Sequence, residues 1–262
     1  MAREWIGVEI APNGVATLTL MNPPLNLVTL GLTRELSAKL DRLAGDPGAR
    51  VLVVTGAGGR AFCAGSDISE FRDLTRPGEA VDKKMRFENE TYSKLDDFPK
   101  PTVAAVNGLA FGGGLEMAVC CDLVVCEEGT RLALPEIKLG VFPGSGGTVR
   151  VTRRIGEGRA KEMIFLGEPI PVETGLAWGL VNRIAPKGQA LKVAQELAAA
   201  IAERPNKALQ AAKKAIDMAL DVTEDEAIAA SLPLSDRVFT SNDCKEGVRA
   251  FFAKDKPRFT HS

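Results

Sequence analysis

Val15-Ala16-Thr17-Leu18-Thr19-Leu20 alternates between apolar and polar positions, the period of a half-buried strand. Val51-Leu52-Val53-Val54-Thr55 is a short apolar run of the kind that forms a strand buried on both faces. Between them Leu32, Leu36, Leu40 and Leu43 recur at helical spacing until Gly45-Asp46-Pro47 stops the pattern. Strand, helix, strand predicts a crossover unit with parallel strands. The unit recurs: Thr102 to Val106 is a second buried run, Gly112-Gly113-Gly114 opens a short helix reaching Cys121, and Leu123-Val124-Val125-Cys126 is the next strand. From Ser69 to Phe98 the chain is charged and helix-prone, with a break at Arg76-Pro77-Gly78, and reads as an adaptable flap. From about Gly147 onward strand signals stop, and amphipathic helical stretches follow at Leu191 to Ala202, Ala208 to Leu220 and Thr223 to Val238. The pattern divides the chain into an α/β core, 1–195, and a C-terminal helical region, 196–262, rich enough in Ala and Leu to pack on its own core or on a neighbouring subunit.

Composition narrows the functional classes. With 262 residues, 45% of them hydrophobic and 26% charged, the chain can bury a substantial core. Lys and Arg number 33 against 34 Asp and Glu, so no global basic field exists to hold nucleic acid or an anionic membrane. Met1-Ala2-Arg3-Glu4-Trp5-Ile6 is too polar for a signal sequence, and no apolar run approaches the roughly 20 residues of a membrane span. A cytoplasmic protein is expected. Cys63, Cys120, Cys121, Cys126 and Cys244 form no C-x-x-C pair and sit mostly in apolar runs, which predicts buried free thiols rather than a disulfide framework or a zinc site. The only histidine is His261, beside the chain end. Histidine-based triads and metal sites are thereby excluded, and proton transfer falls to carboxylates, lysines, cysteines or the single tyrosine, Tyr92.

Three glycine-containing turns follow buried strands, where α/β proteins place their ligands. They are Gly56 to Asp67, Asn107 to Glu116, and Pro135 to Thr148. In the second, three consecutive glycines at a helix start leave backbone N–H groups unpaired and unobstructed, as stabilisation of an oxyanion requires. The same glycines would equally serve a tight turn that lets helix and strand pack closely. Glu116 falls in the first turn of that helix, and Glu136 follows Pro135 after the apolar Leu132-Ala133-Leu134. Each could be a first-turn helix acid. Converging on one pocket, the two would raise each other's proton affinity, leaving one ionised and one protonated near neutrality, a base and an acid together. A competing reading takes Gly56-x-Gly58-x-x-Ala61 as a dinucleotide fingerprint with Glu79 or Asp82 as the ribose acid. Gly65 and the lack of a helical run after Ala61 oppose it.

Taken together the three turns resemble the crotonase (enoyl-CoA hydratase/isomerase) family, over nearly the whole chain. Ala61-Phe62-Cys63-Ala64-Gly65-Ser66-Asp67 is similar to the family's A-F-x-A-G-x-D loop, and Asn107-Gly108 through Gly112-Gly113-Gly114-Leu115-Glu116 to its second signature. The ending from Glu246 to Pro257 also resembles the family's. The resemblance implies an α/β fold, a crotonase-like spiral of repeated ββα units with a C-terminal helical region that serves oligomerisation. It implies an oxyanion hole from the amides of Ser66 and Gly113, and glutamates at Glu116 and Glu136 that add water to a 2-enoyl-CoA. Coenzyme A would be met by Ala64, Ser66, Asp67, Ile68 and Ser69 together with Gly112 and Gly113. No metal or redox cofactor is implied, since coenzyme A belongs to the substrate and the thioester itself acidifies the α-proton. A homotrimer or a hexamer built as a dimer of trimers, and a place in fatty-acid β-oxidation, are the family's usual setting.

Asn22-Pro23-Pro24-Leu25-Asn26 is shorter than the usual hydratase turn and is similar to the form in double-bond isomerases. An isomerase of 3-enoyl-CoA needs one base, for which Glu136 would suffice; Glu116 favours the hydratase. Members of this fold that bind RNA define a further class, which the near-neutral charge and the two glutamates oppose. Lys100, Lys138, Lys254 and Lys256 are candidates to meet the coenzyme A phosphates.

Overall fold

A computed structural model describes residues 3–262; Met1 and Ala2, the start of the N-terminal segment read above, lie outside them. Strands β1 (Ile6–Ile10) and β2 (Val15–Leu20) form an antiparallel hairpin. Helix α1 (Leu30–Gly45) then crosses to β3 (Val51–Gly56), parallel to β2 as the strand–helix–strand pattern predicts. After β4 (Ala61–Cys63) come a 3₁₀ turn, Ile68–Asp73, a π turn, Val81–Met85, and α2 (Arg86–Asp96). Next are β5 (Thr102–Val106), β6 (Leu109–Phe111), α3 (Gly113–Val119), β7 (Leu123–Glu127), β8 (Arg131–Ala133), a 3₁₀ turn, Pro135–Leu139, and α4 (Gly147–Ile155). The chain ends with α5 (Glu157–Leu166), β9 (Ile170–Pro171), α6 (Val172–Trp178), β10 (Arg183–Ala185), α7 (Ala190–Ala202), α8 (Asn206–Asp217), α9 (Glu224–Phe239) and α10 (Asn242–Ala253).

Two sheets result. The larger has the order β1-β2-β3-β5-β7-β10 and is parallel from β2 to β10; the smaller has the order β4-β6-β8-β9. Three times, at β3-β4, β5-β6 and β7-β8, one strand enters the large sheet, the next enters the small sheet, and a helical segment follows. This winding lines up the ends of β4, β6 and β8, so three turns distant in sequence become neighbours. Strands do not stop at Gly147, contrary to the sequence pattern. β9 and β10 have two and three residues, too few to show a period, yet β10 completes the large sheet beside β7.

Side chains explain how the layers hold. Thr29 caps α1 by accepting from the Leu32 amide at 3.2 Å, and Leu32, Leu36, Leu40 and Leu43 are buried, as their spacing predicts. The other end of α1 is closed by Lys100, whose buried ammonium donates to the carbonyls of Leu43 at 2.8 Å and Asp46 at 2.7 Å. Lys100 is therefore not available to a phosphate. On the far side of the sheet, Ala190, Ala194, Ala198 and Ala202 form a stripe of small side chains that lets α7 lie close on Val51, Val53, Val103 and Val125. Residue 195 falls inside α7, which these contacts tie to the sheet. The stretches expected at 208–220 and 223–238 appear as α8 with a 3₁₀ turn, Met218–Leu220, and as α9 with a Thr223–Glu226 capping box. Phe239, Phe251 and Phe252 stand exposed on α9 and α10.

The Asn22–Asn26 turn is bound to the neighbouring glycine turn. Asn26, fully buried, donates to the carbonyls of Ala57 at 2.9 Å and Ala61 at 2.8 Å and accepts from the Asn22 amide. After Gly58 and Gly59 the chain enters β4, not a helix, which removes the dinucleotide reading. Among the described residues no helix is long and apolar enough to cross a membrane.

Candidate active site

The ends of β4, β6 and β8 open into a cavity of about 500 Å³. Glu116 and Glu136 line it, together with Ala64, Ser66, Ile68, Gly112 and Gly113. Asp67 and Ser69 stand outside its lining: the Asp67 carboxylate caps its own 3₁₀ turn by accepting from the Ser69 amide at 3.0 Å. Lys138 pairs with Glu168 on the surface, and Lys254 and Lys256 are exposed near the chain end, away from the cavity lining.

Two backbone amides face this space for identifiable reasons. Val28 and Ser66 form an isolated parallel bridge in which the Val28 amide donates to the Gly65 carbonyl and the Asp67 amide donates to the Val28 carbonyl. That pattern occupies the neighbours of Ser66 and turns its own N–H to the other side. Gly113 is the first residue of α3, where no intrahelical acceptor exists. Among the described residues neither amide donates to a protein acceptor. A Cβ on Gly113 would stand 3.7 Å from Ser66 Oγ, so the two turns touch. Gly112 reaches its φ of 51° and ψ of −128° because it carries no Cβ. Tyr92, fully buried, donates from its hydroxyl to the Gly113 carbonyl at 2.9 Å and braces the turn from α2.

The carboxyls arrive from two sides. Glu116, 2% exposed, has its Oε1 held by the amides of Ser145 and Gly147, each at 2.8 Å, the latter the first residue of α4. Glu136 sits in the 3₁₀ turn after β8; its Oε1 would be 2.9 Å from a Cβ on Gly112, and its buried Oε2 has no hydrogen-bond partner among the described residues. Loss of hydration pushes the Glu116 carboxyl up to about 8, against the two amides that favour its anion, with the charges of Glu136 and Glu88 adding to the rise. Loss of hydration likewise pushes Glu136 up to about 7. Mutual repulsion, expected from the sequence as the cause, is thus secondary to burial. The pair takes up and releases protons around neutrality, as acid–base chemistry requires. The buried thiols do not: burial pushes Cys63, Cys121 and Cys126 up to about 12. Tyr92 is raised as well, by the same cause.

These shifts have a stability consequence. A carboxyl whose folded value lies above its ordinary 4.5 keeps a proton in the folded state that the unfolded chain has released, so stability is greatest below about 4.5, falls as pH rises from there, and levels off above about 7 to 8. Glu116→Gln removes the penalty. We expect its melting temperature to match wild type at pH 5 and to exceed it by about 2–6 °C at pH 9. An equal difference at both pH values would mean that burial does not raise this group.

Sequence reasoning missed Lys84, Glu88 and Ser145, which also line the cavity. Lys84 and Glu88 sit one turn apart on the helical stripe that continues through Tyr92 and Leu95, so two charges ride on a buried face. That spacing was readable.

Comparison with known proteins gives the family and the fold. The family model described as enoyl-CoA hydratase/isomerase matches residues 11–262. A protein of Bacillus subtilis (strain 168) named "Probable enoyl-CoA hydratase" is 36% identical over 247 residues, covering 94% of this chain and 95% of that protein. The 2,3-dehydroadipyl-CoA hydratase of Escherichia coli (strain K12) is 36% identical over 246 residues, with 94% of each covered. The crystal structure of an enoyl-CoA hydratase from Bacillus anthracis superposes with a TM-score of 0.93 at 33% identity, over 99% of this chain and all of that one (100%). The paired sheets wound through three ββα units are the crotonase fold, and the chain belongs to the enoyl-CoA hydratase/isomerase (crotonase) family.

Proposed function

We propose that this protein is an enoyl-CoA hydratase, adding water reversibly to a 2-enoyl-CoA thioester. The observation that carries the reading is the meeting, in one cavity, of two free backbone amides with two carboxyls held near neutrality. The thioester oxygen accepts from the amides of Ser66 and Gly113, which gather the negative charge as the enolate forms; losing one such donor typically costs about 3 kcal/mol. The productive form of the pair is the one with Glu116 ionised, which the amides of Ser145 and Gly147 favour, and Glu136 protonated. With both carboxyls titrating within about one unit of each other it is populated near neutrality, and in it Glu116 takes a proton from water, whose oxygen bonds to the β-carbon. The electron pair of the double bond moves towards the thioester, and protonated Glu136 delivers its proton to the α-carbon. In the reverse direction the roles exchange.

The reaction needs no metal or redox cofactor, because the thioester stabilises the carbanion. The backbone around Ala64 to Ser69 meets the coenzyme A moiety in this reading. A homotrimer or dimer of trimers would cover the exposed phenylalanines of α9 and α10. The test is the loss of conjugated-thioester absorbance when the protein is added to crotonyl-CoA. Turnover supports the hydratase. An inert protein that converts a 3-enoyl-CoA to its conjugated isomer would overturn it in favour of the isomerase that the short Asn22–Asn26 turn resembles.

A further inference from the structure

A third buried carboxylate stands behind Glu116. Glu88 of α2 is 2% exposed, and its Oε1 accepts from the Ser145 hydroxyl at 2.5 Å. The amide of that same serine donates to Glu116 Oε1 at 2.8 Å, so one residue bridges two carboxylates. Lys84 Nζ lies 3.0 Å from Glu88 Oε2 and 3.2 Å from Glu70 Oε2, and Glu70 Oε1 accepts the Leu30 amide at the start of α1. A chain of polar contacts thus runs from α1 to the cavity. We propose that Glu88 is a positioning residue for Glu116, acting through Ser145: it fixes the 143–147 turn so that both amides meet one oxygen of Glu116 and the other oxygen is left for the attacking water. The inference rests on the hydratase reading of the site.

Other contacts share the task of holding the turn without sharing its charge. Asn89 donates to the Gly144 carbonyl at 2.8 Å, and Arg150 donates to the Ser145 carbonyl at 3.3 Å while pairing with Asp96. Part of the charge at 88 balances the buried Lys84 ammonium, a task that Glu70 shares. What Glu88 alone adds is the contact with the Ser145 hydroxyl. The groups facing Glu88 are Lys84 from the π turn, which also meets Glu70 of the 3₁₀ turn before it, Tyr92 on its own helix, Cys63 from β4 and Glu116 from α3. Those facing Glu116 are Glu88, Glu136 from the turn after β8, Tyr92 and Cys120. Glu88 is the member of this set that touches the Ser145 side chain.

Two variants separate position from charge. Ser145→Ala removes the bridge but keeps its amide; we expect kcat on crotonyl-CoA to fall about 10-fold with KM within about 2-fold. Glu88→Gln keeps an acceptor for the Ser145 hydroxyl but removes the negative charge, and the titration of Glu116 should move down by about half a pH unit or more. That titration is read from the kcat/KM pH profile and, without turnover, by NMR of ¹³Cδ-labelled glutamate, the Glu116 signal being the one lost in Glu116→Gln. Melting temperatures falling while kcat, KM and the Glu116 titration all stay as in wild type would overturn the inference and leave a packing role. A wild type that does not turn over crotonyl-CoA defeats the hydratase reading alone; the NMR titration of Glu116 in Ser145→Ala and in Glu88→Gln still decides the positioning, which is overturned if neither variant moves it.

Discussion

Replacing either Glu116 or Glu136 with glutamine should lower the rate of crotonyl-CoA hydration by about 10²–10⁴-fold, with KM changed only a few-fold. Glutamine keeps the shape of each side chain, and at position 116 it still offers an oxygen to the amides of Ser145 and Gly147. What disappears is the ability to accept or release a proton. The wild-type profile of kcat/KM should be bell-shaped around neutrality, because burial brings both carboxyls there, to about 8 and about 7. These two limbs belong to the pair, so each glutamine variant should retain only part of the bell in its residual rate. Progress curves at several pH values give the answer. If Glu116→Gln hydrates as fast as wild type, water is not activated by Glu116 and the two-carboxyl scheme fails.

Gly114→Ala should be the most damaging single-methyl change in the molecule. A Cβ at this position would stand 2.0 Å from the Cys63 carbonyl oxygen and 2.7 Å from its carbon, both main-chain atoms of β4 that no rotamer change can move aside. The helix and the strand must part. Overpacking of a tight core typically costs about 1–3 kcal/mol and occasionally more, which for a chain of this size lowers the melting temperature by several degrees. The same displacement would carry the Gly113 amide away from Ser66, so activity should fall beyond what the unfolded fraction explains. Thermal denaturation and single-turnover hydration of the same preparation test both halves. A variant of wild-type stability would show that α3 can lift from β4 freely.

The same glycine shows how a sequence can be half read. Three glycines in a row announced close approach of the backbone to something, and two readings stood side by side: an open amide for a ligand, or room for a neighbouring strand. The structure gives both, divided residue by residue. Gly113 offers the free amide, and Gly114 admits the strand. The crossover units, the capped leucine helix and the break at Arg76–Gly78 were legible because each rests on a local period or a residue that cannot continue a helix. β9 and β10 were not, since strands of two or three residues are made by their partners rather than by their own pattern. Lys100 was misread as a surface cation for a similar reason: its two carbonyl partners lie 54 and 57 residues away in the chain. Lys84 and Glu88 were visible as charges on a buried stripe, but which turn they would brace depends on the packing of α2 against the 143–147 segment.

The amides at Ser66 and Gly113 have one more implication, for what this scaffold can become. They are main-chain groups, and any residue other than proline placed at 66 still carries an N–H. Point mutation can erase Glu116 or Glu136 in a single step, yet it leaves the pair of donors in place. On the hydratase reading, lineages that lose or relocate the carboxyls would keep two donors aimed at a thioester oxygen, and new reactions on the same carbonyl would be reachable by changing side chains alone.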